Sequence, residues 1–336
     1  MNAEQRWCAR GFVGMEVSIL GRHVLLTARD GIRCLDHEEG RLLWDRSGDF
    51  SAGLIAGDAG TILAGVRDSA LERSRIECLA AASGELIEAI GIDGVPVATI
   101  GRLILVYWAS RTRPETRLVA YNASTNEVVW ESVGGGQEFV LQTSAEMVIL
   151  ARGQRAEARL IATGAVVWEA DLGLSGAPVS SMARGVLVLG DGLAAAGLDC
   201  RTGVVLWRKD GWIWARAGTS GLYVANTRAV SSLALQTGEP LLPSFDLTES
   251  LRRPRGLVAR LACAPVDYRG QAVVLTEDGW SIVFDPVTGG GVKAAVRTGA
   301  RSLLGVRPHV LGNDIVFADF SLDERHPPCL YCVSLG

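Results

Sequence analysis

Cysteine and histidine are the side chains of this sequence with the strongest capacity for chemistry, and they are sparsely spaced. Cys329 and Cys332 have the C-x-x-C spacing of half a zinc site or of a redox pair. No second cysteine pair or histidine cluster accompanies them, and alternation along a strand places the two thiols on opposite faces. We therefore expect all seven cysteines to be buried, reduced apolar fillers.

The histidines and carboxylates form no other recognisable catalytic arrangement. The four histidines fall in separate segments, at His23, His37, His309 and His326. The sequence has no H-x-x-x-H spacing, no nucleophile elbow and no phosphate-binding loop. We therefore predict no catalytic residues, no metal site and no cofactor. The alternative is an active site assembled from distant segments, which leaves no local motif.

Composition and charge argue against two broad classes of partner. The formal net charge is −4 over 336 residues, whereas binding to a nucleic-acid backbone needs a basic field. No apolar stretch approaches the roughly 20 residues that span a membrane. The N-terminus lacks the apolar region of a secretory signal. We therefore expect a cytoplasmic protein that neither binds nucleic acid nor inserts into a membrane.

A short pattern recurs along the chain, and its clearest copies read ATGAVVW, RTGVVLW and STNEVVW. The turn residues of the copies are Gly40, Gly84, Asn126, Gly164, Gly203, Gly238 and Gly289. Intervals of roughly 40 residues indicate propeller blades or helical arrays, and the alternation of apolar with polar residues favours strands. Each repeat is thus predicted to form four antiparallel strands, which make one propeller blade.

Links between the second and third predicted strands contain an Asp-Gly pair in three repeats. The pairs are Asp30-Gly31, Asp191-Gly192 and Asp278-Gly279. Type I′ hairpin turns need positive φ at both central residues, and Asp-Gly is a preferred pair for them. We therefore expect type I′ turns at these links.

The fourth predicted strand of several repeats carries a tryptophan four residues after the turn. An indole buries roughly 150–250 Å² and has one N–H for a carbonyl of the neighbouring blade. The tryptophans at this position are Trp44, Trp130, Trp168 and Trp207. Glu88, Leu242 and Lys293 replace it in three repeats, which we expect to be looser.

The last repeat stops after three strands, and the N-terminus supplies a matching fourth. Continuing the repeat spacing past residue 336 places a tryptophan within one residue of Trp7. We therefore predict that a strand at about 4–11 pairs with one at about 329–335, so that no sheet edge is left exposed. The fold class is then an all-β, eight-bladed propeller, with residues 1–336 in a single domain.

The repeat resembles that of the pyrroloquinoline-quinone-like propellers, and AGLDCRTGVVLW at 196–207 is its best copy. That family includes quinoprotein alcohol dehydrogenases and scaffold lipoproteins of outer-membrane assembly. The resemblance implies, for an enzyme, adjacent cysteines over the cofactor and a bound Ca²⁺. This sequence has no adjacent cysteines, so none of those catalytic residues can be carried over. The scaffold members, which lack chemistry, are the nearer match, although the lipid-modified cysteine that they need is absent here.

Long predicted loops are the strongest functional signal. By strand order, the segments 67–75, 109–117, 244–256 and 319–328 all lie on one face of the propeller. An arginine-rich rim suits bidentate contact with carboxylates of a partner, although solvated surface loops have the same composition. The candidate partner-binding residues are Arg67, Arg73, Arg75, Arg111, Arg113, Arg117, Arg252, Arg253 and Arg255.

Trp212 and Trp214 are a weaker candidate site, for a small planar ligand. They flank Ile213, so on a strand both indoles face the same side. The two rings can then form an aromatic floor near the central channel, although packing between blades is the commoner use of such residues.

The leading hypothesis for function is a non-catalytic intracellular scaffold that binds a protein partner on the arginine-bearing face. An inhibitor of the immunity-protein type and a complex-assembly subunit are two concrete forms of it. The alternative is an enzyme or sensor that binds a quinone or another small ligand in the central channel.

Overall fold

The computed structural model divides into two compact units. The first unit comprises residues 14–153 and 157–167, and the second comprises residues 1–13, 154–156 and 168–336. The structure describes residues 4–10, 16–27, 30–50, 53–57, 60–68, 73–109, 115–135, 138–144, 146–152, 154–174, 179–218, 221–226, 229–242, 244–246, 261–277, 279–284, 292–297, 308–319 and 329–334.

The described strands form eight antiparallel sheets of four strands, the eight-bladed β-propeller class that the repeat predicts. The first strand, β1 (Glu4–Arg10), belongs to blade 8. Blade 1 consists of β2 (Glu16–Leu20), β3 (His23–Thr27), β4 (Gly31–Asp36) and β5 (Leu42–Ser47). Blade 2 consists of β6 (Leu54–Ala56), β7 (Thr61–Asp68), β8 (Arg73–Ala80) and β9 (Leu86–Ile90). Blade 3 consists of β10 (Val95–Ile100), β11 (Leu103–Ala109), β12 (Glu115–Asn122) and β13 (Glu127–Gly135).

The remaining blades repeat this order. Blade 4 consists of β14 (Glu138–Thr143), β15 (Met147–Arg152), β16 (Arg155–Leu160) and β17 (Val166–Asp171). Blade 5 consists of β18 (Val179–Ala183), β19 (Val186–Gly190), β20 (Ala194–Asp199) and β21 (Val205–Asp210). Blade 6 consists of β22 (Trp214–Ala217), β23 (Leu222–Ala225), β24 (Ala229–Leu233) and β25 (Phe245–Asp246). Blade 7 consists of β26 (Val266–Tyr268), β27 (Gln271–Leu275), β28 (Trp280–Phe284) and β29 (Val292–Arg297). Blade 8 consists of β30 (His309–Leu311), β31 (Asp314–Asp319), β32 (Cys329–Ser334) and β1.

The N-terminal strand completes the last blade, as the sequence predicts. Strand β1 pairs antiparallel with β32, and Trp7 lies opposite Cys332. Trp44 lies opposite Cys34 in the same way in blade 1. Trp7 therefore occupies the repeated tryptophan position. An ion pair of 2.6 Å between Arg6 and the buried Asp314 joins β1 to the blade as well.

In blades 1, 3, 4 and 5, the repeated tryptophan anchors the fourth strand to the next blade. In β5 and β17 it is the only buried residue of the strand. Its indole N–H donates to the backbone carbonyl three residues before the turn residue of the following blade. The four bonds are Trp44 to Ala81 at 3.0 Å, Trp130 to Ile161 at 2.5 Å, Trp168 to Cys200 at 3.0 Å and Trp207 to Leu235 at 2.8 Å.

The turn glycines are needed because the indole of the preceding blade lies directly on them. A Cβ added at Gly84 would lie 2.5 Å from the ring of Trp44, and one at Gly203 would lie 2.5 Å from Trp168. Both glycines also have positive φ, which costs glycine little. Asn126 takes the same left-handed conformation without glycine, at φ 61. Its turn belongs to blade 3, and the fourth strand of the preceding blade carries Glu88 in place of tryptophan.

In blades 1, 3 and 5, an acidic or amide residue four positions before the turn residue bonds to the turn backbone. Asp199 Oδ1 accepts the N–H and hydroxyl of Thr202, at 2.9 and 3.0 Å, and the N–H of Arg201 at 3.0 Å. The hydroxyl bond from Thr202, followed by its N–H bond, lowers the pKa of Asp199. Asn122 accepts N–H groups of its turn in the same manner, without a charge. These bonds explain the residue that recurs four positions before the turn.

The expected type I′ turns at the Asp-Gly pairs are wrong where the structure describes them. Gly31 is the first residue of β4 and does not have positive φ. Gly192 has φ +90, but Asp191 does not have positive φ, and its carboxylate instead accepts the N–H groups of Leu193 and Ala194. That bonding removes the need for two left-handed residues. Asp278 lies outside the described residues.

Blade 6 departs most from the repeat. Within the described residues its fourth strand comprises Phe245 and Asp246, whereas β9 of blade 2 has five residues although Glu88 replaces the tryptophan. The blade with Leu242 in place of tryptophan thus has a short outer strand, whereas the blade with Glu88 in that place does not. The side chain of Lys293 lies outside the described residues.

Candidate functional site

Three side chains form a row across blade 3, next to its loop between the second and third strands. Trp108 on β11 lies opposite Arg117 on β12, which in turn lies opposite Val133 on β13. The guanidinium carbon of Arg117 is 5.2 Å from the centroid of the Trp108 ring, within cation–π range. The side chain of Val133 is 60% exposed.

Two carboxylates fix the guanidinium of Arg117. Its Nε and Nη2 donate to Glu115 Oε1 at 2.8 and 2.6 Å, and its Nη1 lies 3.1 Å from Glu131 Oε1. The hydrogen bond to Glu115, with the charges of Glu115 and Glu131, raises the pKa of Arg117. Arg117 therefore lies against the indole with each of its three nitrogens next to a carboxylate oxygen.

Asp93, in the connection from blade 2 to blade 3, fixes the other side of the indole. Its Oδ2 accepts the N–H of Trp108 at 3.2 Å. Its Oδ1 accepts the backbone N–H and the hydroxyl of Ser74 at 2.8 and 2.6 Å. Ser74 Oγ in turn accepts the N–H of Gly94 at 3.0 Å. We call the surface formed by Ser74, Asp93, Trp108, Glu115, Arg117, Glu131 and Val133 the Trp108 surface.

Of the residues of this surface, only Arg117 is among the candidates identified from the sequence. Ser74 lies on β8 and Asp93 in the connection after β9, and no spacing links them. A single aspartate in a blade connection was the available signal, and it is too common to be selective. Glu131 and Val133 follow the repeated Trp130 and look like ordinary outer-strand residues.

Arg75, another predicted partner-binding residue, is part of an internal ion pair. Its Nε and Nη2 lie 3.1 and 2.7 Å from Glu77 Oε1. Arg46 of blade 1 approaches Glu77 Oε2 at 2.9 Å. The Glu77 side chain is 3% exposed, so the two arginines compensate a buried charge.

The structure describes few of the other predicted arginines. Arg67 is half-buried on β7, and its backbone N–H donates to the backbone carbonyl of Asp49 at 2.8 Å. Arg73 begins β8. Five arginines lie outside the described residues: Arg111, Arg113, Arg252, Arg253 and Arg255. The partner-binding role of all nine stays a prediction.

The structure does not bring Trp212 and Trp214 together as one aromatic floor. Trp214 begins β22 and packs against the hydrophobic cluster that contains Tyr223 and Val274. Trp212 precedes that strand and packs against a different cluster, which contains Trp207 and Leu233. Strand alternation does not relate the two indoles, because Trp212 precedes β22, which begins at Trp214.

The cysteines have the properties of buried apolar residues. All seven lie among the described residues, none forms a disulfide, and four are buried. Burial raises the pKa of Cys34, Cys263 and Cys332 to about 12, with the charge of Asp36 adding to it at Cys34 and that of Asp314 at Cys332. These thiols are therefore poor nucleophiles at neutral pH.

The residues of this chain do not fit the cofactor site of a quinoprotein. No two cysteines are adjacent in sequence, and the three that share a blade, Cys8, Cys329 and Cys332, lie on the paired strands β1 and β32. Within the described ranges, no three or more His, Cys, Asp or Glu side chains group in a way that can hold a metal ion. We therefore derive no reaction step through a quinone cofactor.

The repeat and the eight blades define a propeller of the pyrroloquinoline-quinone-like class. Residues 28–211 match the family model described as outer membrane protein assembly factor BamB. That match spans more than half of the chain, and the chain belongs to this family. A search of curated proteins finds no significant match. The described part of the chain contains no helix that is long and apolar enough to span a bilayer.

Solved structures with the same fold include an assembly factor, a designed protein and a dehydrogenase. BamB from Moraxella catarrhalis is 16% identical, with a TM-score of 0.68 over 99% of each chain. The computationally designed Ika8 protein is also 16% identical, with a TM-score of 0.68 over 96% of this chain and 97% of its own. A europium-containing methanol dehydrogenase is 14% identical, with a TM-score of 0.57 over 99% and 93%. Similarity at these identities shows the fold and does not transfer a function.

Proposed function

We propose that this chain is a non-catalytic scaffold that binds a protein partner through the Trp108 surface. The family is described as an assembly factor, which favours a binding role over an enzymatic one. The observation that carries the proposal is the row of Trp108, Arg117 and Val133 on one surface of blade 3. Tryptophan and arginine are the residues most enriched at the energetic centres of protein interfaces.

Preorganisation is the physical reason to expect useful affinity from so small a row. Asp93 and Arg117 hold the indole from two sides, so binding costs little side-chain entropy there. Glu115 and Glu131 neutralise Arg117, which leaves the indole edge and Val133 as the main attraction. The surface therefore suits a partner with an apolar anchor and a polar rim, and the neighbouring arginine-bearing loops supply further contacts.

Site-specific photo-crosslinking tests this proposal. We would place p-benzoylphenylalanine at Val133, in the row, and at Val204 as a matched control. Val204 is 57% exposed and lies in the turn before β21 of blade 5. In cells that naturally contain the protein, irradiation should produce one discrete adduct from position 133 and none from position 204.

The adduct must also depend on the indole. Trp108→Ala should reduce its yield by about tenfold or more, which corresponds to losing about 1.4 kcal/mol of binding. Equal adducts from both positions, or an adduct indifferent to Trp108→Ala, would contradict the proposal.

The enzymatic alternative has a separate test. Pyrroloquinoline quinone with Ca²⁺ should leave the unfolding temperature of the purified protein unchanged, because the sequence has no adjacent cysteines and the described residues form no metal-ligand group. A rise that depends on both additives would favour the alternative, since a ligand that binds only the folded state stabilises it. An intracellular location is a further prediction, which cell fractionation addresses.

A further inference from the structure

One pair of repeat positions meets at the interface between successive blades in two copies of the repeat. The first is the residue two after the repeated tryptophan, and the second is seven before the turn residue of the next blade. Between blades 1 and 2 these positions hold Arg46 and Glu77, which form the ion pair of 2.9 Å. A buried carboxylate therefore fills this interface and pairs with a cation from the neighbouring blade.

The equivalent positions between blades 5 and 6 hold Lys209 and Ser231. Lys209 follows Trp207 by two residues, and Ser231 precedes Gly238 by seven. The cation is kept, but the glutamate is replaced by a much shorter side chain that is 5% exposed. In place of a carboxylate, Lys209 and Ser231 line a cavity of about 270 Å³.

The outer chain of blade 6 contributes to the same cavity. Leu241 N–H donates to Ser232 O at 2.9 Å, and Phe245 lies opposite Val230. Leu242 and Ser244 lie between these two contacts in the sequence, and both line the cavity.

The polar lining has capacity left for an anion. Ser231 Oγ and Ser244 Oγ are 2.5 Å apart, so one hydroxyl donates to the other and one hydroxyl hydrogen remains for a third acceptor. Lys209 Nζ is 3.5 Å from Glu239, whose side chain is 70% exposed, and an exposed pair at that distance is weak. The rest of the lining is apolar and includes Trp212 and Leu233.

We propose that this cavity binds a small monocarboxylate with an apolar body. The ligand carboxylate takes the place that the Glu77 side chain occupies at the blade 1–2 interface. It accepts hydrogen bonds from the Lys209 ammonium and the free serine hydroxyl, and its apolar body lies against Trp212, Leu233 and Leu242. A cavity of this size admits only a small ligand, because drug-sized pockets begin at about 300 Å³.

Calorimetric titration with phenylacetate and its uncharged isostere, phenylacetamide, tests the proposal on the full chain. The acid should bind at least about tenfold more tightly than the amide, because only the acid pairs with Lys209. Lys209→Met, which keeps the apolar stem, should reduce the affinity for the acid to that for the amide. Arg201→Met removes the same charge from an exposed turn of blade 5 and should leave binding unchanged.

A second variant tests the site by placing a carboxylate of the protein itself in the cavity. Ser231→Glu should recreate the Arg46–Glu77 arrangement with Lys209, abolish phenylacetate binding and leave the urea midpoint of unfolding equal or higher. Equal affinity for acid and amide would overturn the proposal. So would the absence of binding by phenylacetate and hexanoate at millimolar concentration, or binding that survives both Lys209→Met and Ser231→Glu.

Discussion

At the scale of single residues, tryptophan and glycine form a matched pair across the blade interface. The indole of one blade lies on the bare turn of the next, and its N–H reaches a carbonyl of the same turn. Asn126 is instructive because it is the one turn residue of the repeat that is not glycine, and the blade before it carries Glu88 in place of tryptophan. Glycine is therefore required at these turns by the neighbouring indole as well as by φ.

Gly84→Ala and Gly60→Ala separate these two requirements. Both residues have similar positive φ, +71 and +77, so alanine suffers the same backbone strain at each. At Gly60 nothing lies within 4 Å of the added Cβ, whereas at Gly84 it meets Trp44 at 2.5 Å. Gly84→Ala should therefore lower the free energy of unfolding by about 1–3 kcal/mol more than Gly60→Ala in urea denaturation. Equal losses would show that the indole contact contributes nothing.

The buried thiols give a pH dependence with a definite sign. An unfolded cysteine has a pKa of about 8.5, whereas burial raises the pKa of Cys263 to about 12. A raised folded-state pKa contributes stability that is complete below about pH 8.5 and is lost as pH rises toward 12. The free energy of unfolding should therefore fall above about pH 9, and less steeply in Cys263→Ala.

Alkylation checks the same thiol directly. Iodoacetamide at pH 8.5 should modify Cys263 in urea but leave it unmodified in the folded protein, as mass spectrometry would show. Rapid modification of Cys263 in the folded protein would contradict its burial.

At the scale of strands and blades, repetition explains what the sequence could predict. Turn residues, tryptophan positions and the pairing of β1 with β32 follow from a period that every blade obeys. The turns at Gly31 and Gly192 could not be predicted, because Asp-Gly is compatible with several turn geometries and the Asp191 carboxylate selects another one. The Trp108 surface could not be predicted either, because Ser74, Asp93 and Trp108 meet only through tertiary packing.

Introducing the tryptophan–glycine pair at Glu88 of blade 2 and Asn126 of blade 3 tests whether the two residues of the pair depend on each other. Glu88→Trp alone should destabilise the protein or leave its stability unchanged, because the side chain at Asn126 occupies the place of the bare turn. Glu88→Trp with Asn126→Gly should be more stable than the sum of the single changes, by about 0.5–3 kcal/mol in a double-mutant cycle. Additivity within about 0.5 kcal/mol would mean that the two positions do not form a pair.

At the scale of the whole molecule, the fold class and the family agree with a binding role. Eight blades give eight sets of turns and connections on a scaffold of buried second and third strands, such as β19, in which all five residues are buried. Function tends to lie on loops that a rigid scaffold positions. Blades 2 and 3 carry the Trp108 surface, and the irregular blade 6 carries the cavity, so departures from the repeat mark the proposed sites.

The central claim is that the N-terminal strand supplies the fourth strand of blade 8, because the numbering of blades and the identity of each loop depend on it. Hydrogen–deuterium exchange of the intact chain measures this pairing most directly. Backbone amides of residues 4–10 and 329–334 should exchange at least about a hundredfold more slowly than those of an unfolded peptide, as expected of paired strands. Exchange of residues 4–10 at the unfolded rate would contradict this pairing.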